Sequence, residues 1–220
     1  MRIALLAVIS YLIGCINPAY IIGRIKGFDI RNRGSQNAGA SNVVISVGKA
    51  AGVFTALFDI FKSFLCYKLG EIFFPLIPFA AVICAVMCTL GHIFPVCLKF
   101  RGGKGLACLG GLILGFNVRV FFIMLFCAIL VVLISDYVSV VTSLAAICFP
   151  IVYLLMTHDY IGTAVLLFMA LVIVLKHFPN FKRIKLGTEA RFSMLWRREE
   201  EENRIRNNTE RLLNEEEGRK

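Results

Sequence analysis

Charge is scarce in this chain: Asp, Glu, Lys and Arg make up 17% of its 220 residues, against 58% hydrophobic side chains. With a mean hydropathy of +0.78, that shortage excludes a water-soluble domain and makes the bilayer the solvent. Other signals are missing too. No segment shows the alternating pattern of a barrel strand, so helices alone can satisfy the backbone in lipid. No small-residue cleavage site follows the first apolar stretch, which is long and contains Asn17 and Pro18, so it reads as a retained helix rather than a signal peptide. No metal-like spacing links the eight cysteines. Cys66, Cys84, Cys88, Cys108, Cys127 and Cys148 lie inside apolar segments as small hydrophobic residues.

Five long apolar stretches are present: Ile3 to Ile22, Ala50 to Leu69, Phe73 to Leu90, Val138 to Met156, and Ile161 to Leu175. Each is near the roughly 20 residues that cross a bilayer as a helix. Leu106 to Ile134 is interrupted only by Asn117 and Arg119, so it is one tilted helix or two joined by a tight turn. The loop from Gly23 to Lys49 carries Arg24, Lys26, Arg31, Arg33 and Lys49 against Asp29. The loop from Gly91 to Gly105 carries Lys99, Arg101 and Lys104 with no acid, and the tail opens with Lys182, Arg183 and Lys185. All three read as cytoplasmic. Parity then requires an odd number of spans, which splits Leu106 to Ile134 and gives about seven transmembrane helices in an all-α fold, with the amino terminus outside and the carboxyl terminus inside. Against this, Leu106 to Phe116 covers only about 16 Å, which leaves a re-entrant half-helix open, and Arg2 sits on the unfavoured side.

Three segments are unlike ordinary loops, and the topology puts them on one face: Gly34 to Asn42, Gly91 to Gly105, and Lys176 to Glu189. Glycines let a backbone approach a ligand and aim amides at it, and neighbouring lysine or arginine supplies full charge, a combination that suits phosphate. Arg101-Gly-Gly-Lys-Gly105 opens a predicted helix whose N-terminus favours an anion. It lacks the Ser or Thr and the first glycine of a Walker A loop, so ATP hydrolysis is not indicated. A basic turn at the lipid headgroups would also account for this loop taken alone. Ser35, Asn37, Ser41 and Asn42 cluster within eight residues. Any one of them is explained as a turn former or helix cap; four together with two glycines point to a binding loop. His92 and His177 sit where apolar helices meet water, and His177 gains companions at helical spacing in Asn180 and Arg183. Asp59 and Lys62, at i, i+3 inside the second span, read as a structural ion pair. Past Phe192 the tail alternates acids and bases, with Glu200 and Arg204, and Glu202 and Arg206, at i, i+4, as in a solvated surface helix.

At this point the chain resembles the bacterial acyl-phosphate:glycerol-3-phosphate acyltransferases of the PlsY family. Three motifs carry the resemblance in order over residues 1–192: Gly34-Ser35-x-Asn37-x-Gly39-Ala40-x-Asn42; Gly91-His92-x-Phe94-Pro95 through Lys99-Phe100-x-Gly102-Gly103-Lys104-Gly105; and His177-x-x-Asn180-x-x-Arg183 with Gly187-Thr188-Glu189. The resemblance implies an acyltransferase domain over 1–192 and a charged cytoplasmic tail over 193–220. It implies an enzyme of the bacterial cytoplasmic (inner) membrane that moves a fatty acyl group from acyl phosphate to sn-glycerol-3-phosphate, releasing lysophosphatidate and inorganic phosphate. Its substrates and the lipid bilayer are the expected partners, with no metal, no cofactor and no nucleic acid.

On that reading Ser35, Lys104, His177 and Asn180 are catalytic. Asn37, Gly39, Ser41, Asn42, His92, Lys99, Arg101, Gly102, Gly103, Arg183, Gly187 and Glu189 bind substrate, with Lys104 and the amides around Gly102 and Gly103 on one phosphate. The base is His177 or an oxygen of the acyl phosphate itself. Phe94, Phe100 and Phe178 flank the motifs as chain-guiding walls or as ordinary lipid-facing aromatics. The chain departs from the family at Ile45 (usually Arg), Ser41 (Thr), Ala38 (Pro) and Gln36 (Gly); Ile45 cannot contact phosphate, so Lys49 or Arg101 is expected to supply the missing cation. A transporter of a small organic phosphate is the alternative class, and a noncatalytic scaffold a third. Polar residues gathered in loops at one face, rather than near the midplane, argue against transport.

Overall fold

The computed structural model describes residues 2–217; Met1 and the last three residues of the expected tail lie outside the described residues. Among the described residues the chain is all-α, with ten helices: α1 Arg2–Cys15, α2 Pro18–Ile25, α3 Ala40–Ser46, α4 Lys49–Phe73, α5 Pro78–Ile93, α6 Leu106–Phe116, α7 Val118–Ser135, α8 Val138–Thr157, α9 Tyr160–Lys185 and α10 Arg198–Glu217. Six segments are long and apolar enough to cross a membrane, α1 and α2 counting as one, and α6 is a shorter apolar helix.

The long segment divides at Asn117, as the parity argument requires. The Asn117 side chain accepts from the amides of Arg119 and Val120, capping α7 while α6 stops one residue earlier. The first span, expected as one helix, is instead broken at Ile16 and Asn17. Asn17 caps α2 by accepting from the Tyr20 amide at 2.8 Å, and Pro18 stands at the first helical position, where its missing N–H costs nothing.

Helix α5 is the centre of the bundle and mostly buried, whereas α7 at the periphery is largely exposed. It packs on α1, α4 and α9. Glycines permit the closest of these approaches, since a Cβ on Gly14 would lie 2.0 Å from the Cys88 carbonyl oxygen and one on Gly91 would lie 2.1 Å from that of Tyr11. Lipid gives helices no hydrophobic reason to associate, so close backbone contact of this kind is a main source of packing energy. Leu57, Phe61, Phe122 and Phe168 face outward, as residues solvated by acyl chains do.

The fold brings the three motif segments to one end. The Arg31 guanidinium, clamped by Asp29, donates to the Leu98 carbonyl at 2.9 Å, tying the first loop to the second. The Lys104 ammonium donates to Asn180 Oδ1 at 2.6 Å, tying the second to the end of α9. The turn after α7 lies at the same end, where Asp136 accepts from the Ser193 amide and hydroxyl at 2.8 and 2.7 Å.

Candidate active site

The first loop is organised by Asn42. Its fully buried carboxamide donates to the carbonyls of Ile30, Arg33 and Asn37 at 2.8 to 3.0 Å and accepts from the Ser35 amide at 2.9 Å. That set, together with the Ser46 hydroxyl, fills the group's capacity, so Asn42 builds the loop. Around it Ser35 and Asn37 are half-buried, Ser41 is exposed, and Gly39 is buried at the start of α3. Gln36, where the family has glycine, takes φ of +57°, a left-handed conformation that costs a side-chain-bearing residue roughly 1–2 kcal/mol.

The second loop is closed by its own backbone. The amides of Gly102 and Gly103 donate to the carbonyls of Ile93 and His92 at 3.2 and 3.0 Å, closing the end of α5. Both amides are thus engaged within the protein. These glycines are needed for proximity: a Cβ on Gly102 would meet the His92 carbonyl oxygen at 2.0 Å, and one on Gly103 the His92 Nε2 at 2.0 Å. Beyond them α6 begins at Gly105 without a side-chain cap, leaving its first-turn amides as the free donors of this loop. Lys99 and Arg101 are exposed, and Lys99 and Phe100 are both left-handed, at φ of +55° and +59°.

His92 does not reach the surface. It is buried beside Asp59 (3.3 Å) and Lys62 (3.2 Å), while Lys62 and Asp59 pair at 2.7 Å. The ion pair read from the i, i+3 spacing is thus present, with His92 as its third member. Lys62 also donates to the carbonyls of Gly14 and Ile16 at 3.1 and 2.8 Å, which the break after α1 leaves without helical partners. Ligand-type atoms of Asp59, His92 and Cys108 lie within 4.8 Å of one another, but the Lys62 ammonium already supplies the positive charge there. A pair closed on itself and on backbone carbonyls offers a transported anion no free charge, which weakens the transport reading.

The third segment brings several polar and titratable side chains together. His177 is buried, and its Nδ1 lies 2.8 Å from the Ile173 carbonyl oxygen. A carbonyl only accepts, so Nδ1 carries the proton and Nε2 of the neutral ring keeps a lone pair. One turn on, Asn180 accepts from Lys104 and donates to Glu189, and Arg183 Nε donates to the other Glu189 oxygen at 2.6 Å. Glu189 is a carboxylate among cations and would repel an anion. It holds Asn180 and Arg183 in place. Gly187, left-handed at φ of +71°, directs its carbonyl to Arg204 and Asn208 of α10. Burial pushes the Lys104 ammonium down to about 8, with Arg183 adding to the shift and Glu189 opposing it. In the first loop, hydrogen bonds from Arg31 hold the Asp29 carboxyl down at about 2.

A cavity of about 370 Å³ lies beside the first loop, lined by Arg33, Gly34, Ile45, Ser46, Arg198 and Glu202. The cations next to Ile45 are therefore Arg33 and Arg198; the expected substitutes, Lys49 and Arg101, do not line it. Phe94 carries the Lys176 ammonium over its ring at 4.2 Å, whereas Phe100 and Phe178 are exposed. Sequence reasoning missed Arg31, Asn17 and Arg204 as organisers of the site. The Asn-Pro step was a local signal for the second of these, and the other two act across long sequence separations.

A family model described as glycerol-3-phosphate acyltransferase matches residues 4–187. The glycerol-3-phosphate acyltransferase of Clostridioides difficile (strain 630) is 38% identical over 193 residues, 84% of this chain and 93% of that protein. The one from Staphylococcus aureus (strain JH9) is 34% identical over 208 residues, 89% of this chain and the whole of that protein. The crystal structure of PlsY (YgiH), an integral membrane glycerol 3-phosphate acyltransferase, in its glycerol 3-phosphate form superposes with a TM-score of 0.83 at 28% identity, covering 89% of this chain and 98% of that one. Its lysophosphatidic acid form gives 0.79 at 26% identity, covering 87% and 95%.

Proposed function

Since this chain belongs to the glycerol-3-phosphate acyltransferase family, we propose that it moves a fatty acyl group from acyl phosphate to a hydroxyl of sn-glycerol-3-phosphate, releasing lysophosphatidate and inorganic phosphate. Residues 1–192 form the acyltransferase unit, residues 193–220 a cytoplasmic tail. It works at the cytoplasmic face of a bacterial inner membrane, with the amino terminus outside. The excess of Lys and Arg in the motif loops supports that orientation.

The observation that carries the proposal is the Lys104 ammonium held against Asn180 within one turn of His177, with Arg183 on the same strut. Acyl phosphate is a mixed anhydride with a good leaving group, so the protein needs no covalent nucleophile and acts by positioning and charge. The acceptor oxygen attacks the acyl carbon, the bond to the phosphate oxygen breaks, and the electron pair leaves with phosphate. Lys104, Arg183 and the first-turn amides of α6 offset the repulsion of two phosphates brought together. His177 Nε2, with its lone pair free, takes the proton of the attacking hydroxyl. Ser35, Asn37 and Ser41 orient substrate oxygens, and Lys99 and Arg101 guide anions to the face.

Inorganic phosphate released from palmitoyl phosphate by the purified protein, with and without sn-glycerol-3-phosphate, tests this. Release that needs both the acceptor and Lys104 supports it. Acceptor-independent release, or release undiminished in Lys104→Ala, would contradict it.

A further inference from the structure

The family match ends at residue 187, yet the chain continues into a helix that folds back on the third motif. Arg204 of α10 donates to the carbonyls of Gly187 and Glu189. It is itself held by Glu201 at 2.8 Å. Glu201 is only 5% exposed although it sits on a strongly polar helix. Asn208 donates to the same Gly187 carbonyl at 2.9 Å. Arg191 approaches Glu201 at 3.6 Å from the connecting segment, which is pinned to the turn after α7 through Asp136 and Ser193. A buried acid that satisfies one arginine, whose remaining donors both reach backbone carbonyls, is a specific arrangement. Solvated pairs along the same helix, such as Arg198 with Glu202 and Arg211 with Glu215, are mostly exposed and contribute little.

We propose that Arg204 is a positioning residue of the active site: it latches the Gly187–Glu189 turn, and through the Glu189 carboxylate it sets where Asn180 and Lys104 stand. The tail is then a working part of the catalytic unit. The relay has three steps: Arg204 to the Glu189 backbone, the Glu189 side chain to Asn180 and Arg183, and Asn180 to Lys104. Arginine suits the role because its planar fork holds two carbonyls and a carboxylate in one fixed geometry, where a lysine offers a compact, rotatable point charge. Unlatched, the turn rotates about left-handed Gly187 and takes the Glu189 carboxylate away from Lys104. Arg183 and His177, the other charged or titratable groups facing Lys104, stay with α9.

The inference rests on the acyltransferase reading, and the experiment separates the two. Phosphate release would be followed in full-length wild type, Arg204→Ala, Arg204→Lys and Arg211→Ala, each with its melting temperature and its alkaline pH limb. A silent wild type would count against the acyl-transfer reading itself. Given an active wild type, Arg204→Ala should lower kcat/KM on the order of 10- to 100-fold in protein still folded at the assay temperature, although stranding the buried Glu201 lowers its melting temperature. Its alkaline limb should move to lower pH, because Lys104 loses the carboxylate that favours its charged form. Arg204→Lys should recover part of this, and Arg211→Ala should match wild type. Wild-type kinetics and an unmoved limb in Arg204→Ala would overturn the proposal, as would a loss explained by unfolding alone or shared equally by Arg211→Ala.

Discussion

On the proposed function, the binding of glycerol-3-phosphate should weaken as pH rises through 8, because the Lys104 that would meet it carries a charge that burial has made easy to lose. With the ammonium at about 8 in the unliganded protein, the protonated fraction falls from about 0.9 at pH 7 to about 0.03 at pH 9.5. If phosphate binds the charged form, apparent affinity drops about 30-fold over that range, roughly 2 kcal/mol. The arginines beside it keep their charge throughout, so the fall is assignable to Lys104. The sign for stability is opposite. Between about 8 and the ordinary 10.5 the unfolded chain binds more protons than the folded one, so the unliganded fold gains stability as pH rises through that window. Calorimetric titration in detergent, repeated in buffers of different ionisation enthalpy, reads both affinity and proton uptake. Binding near pH 9 should take up close to one proton, near pH 7 close to none, and Lys104→Arg should flatten both profiles. Constant affinity from pH 7 to 9.5, or no uptake at pH 9, refutes the reasoning.

Three further outcomes follow from the geometry. Lys62→Met should destabilise the protein by about 3–5 kcal/mol by stranding the buried Asp59, and adding Asp59→Asn should restore part of the loss in thermal unfolding, whereas equal losses would deny the pair its role. Gln36→Gly should raise stability by roughly 1 kcal/mol, or about 2–4 °C in melting temperature, by relieving a left-handed side-chain-bearing residue; a lower melting temperature would mean that Gln36 makes a compensating contact. His177→Gln should reduce kcat by about 100-fold or more and remove the acid limb of the pH profile. Retention of both magnitude and profile would transfer the base to the acyl phosphate oxygen.

How much was legible in advance depended on sequence distance. The division at Asn117 followed from charge parity, and the pairing of Asp59 with Lys62 from helical spacing; both are local or additive properties. His92 could not be placed with them, because 30 residues separate it from Lys62 and only the packing of α4 on α5 joins them. The first loop was read by composition as a set of ligands, and Asn42 proved to spend its whole hydrogen-bonding capacity on the loop's own carbonyls. In the tail, spacing suggested Glu200 with Arg204 and Glu202 with Arg206. Instead Arg204 turns inward to Glu201 and the third motif, Glu202 pairs with Arg198, and Arg206 meets Asn203. Local spacing states which pairs are possible along one helix face; it is silent on a backbone carbonyl arriving from elsewhere.

The interrupted first span has a consequence for how the molecule is made. A chain entering the bilayer as it is synthesised presents Gly14 and Ile16 with bare carbonyls, and their partner, the Lys62 ammonium, arrives 48 and 46 residues later on α4. Until then the first hairpin carries unsatisfied backbone in one arm and a charged lysine in the other, each costly in hydrocarbon. The two arms therefore enter the membrane as a mutually dependent pair, and the first, truncated ahead of Lys62, should insert less completely than the same segment followed by α4.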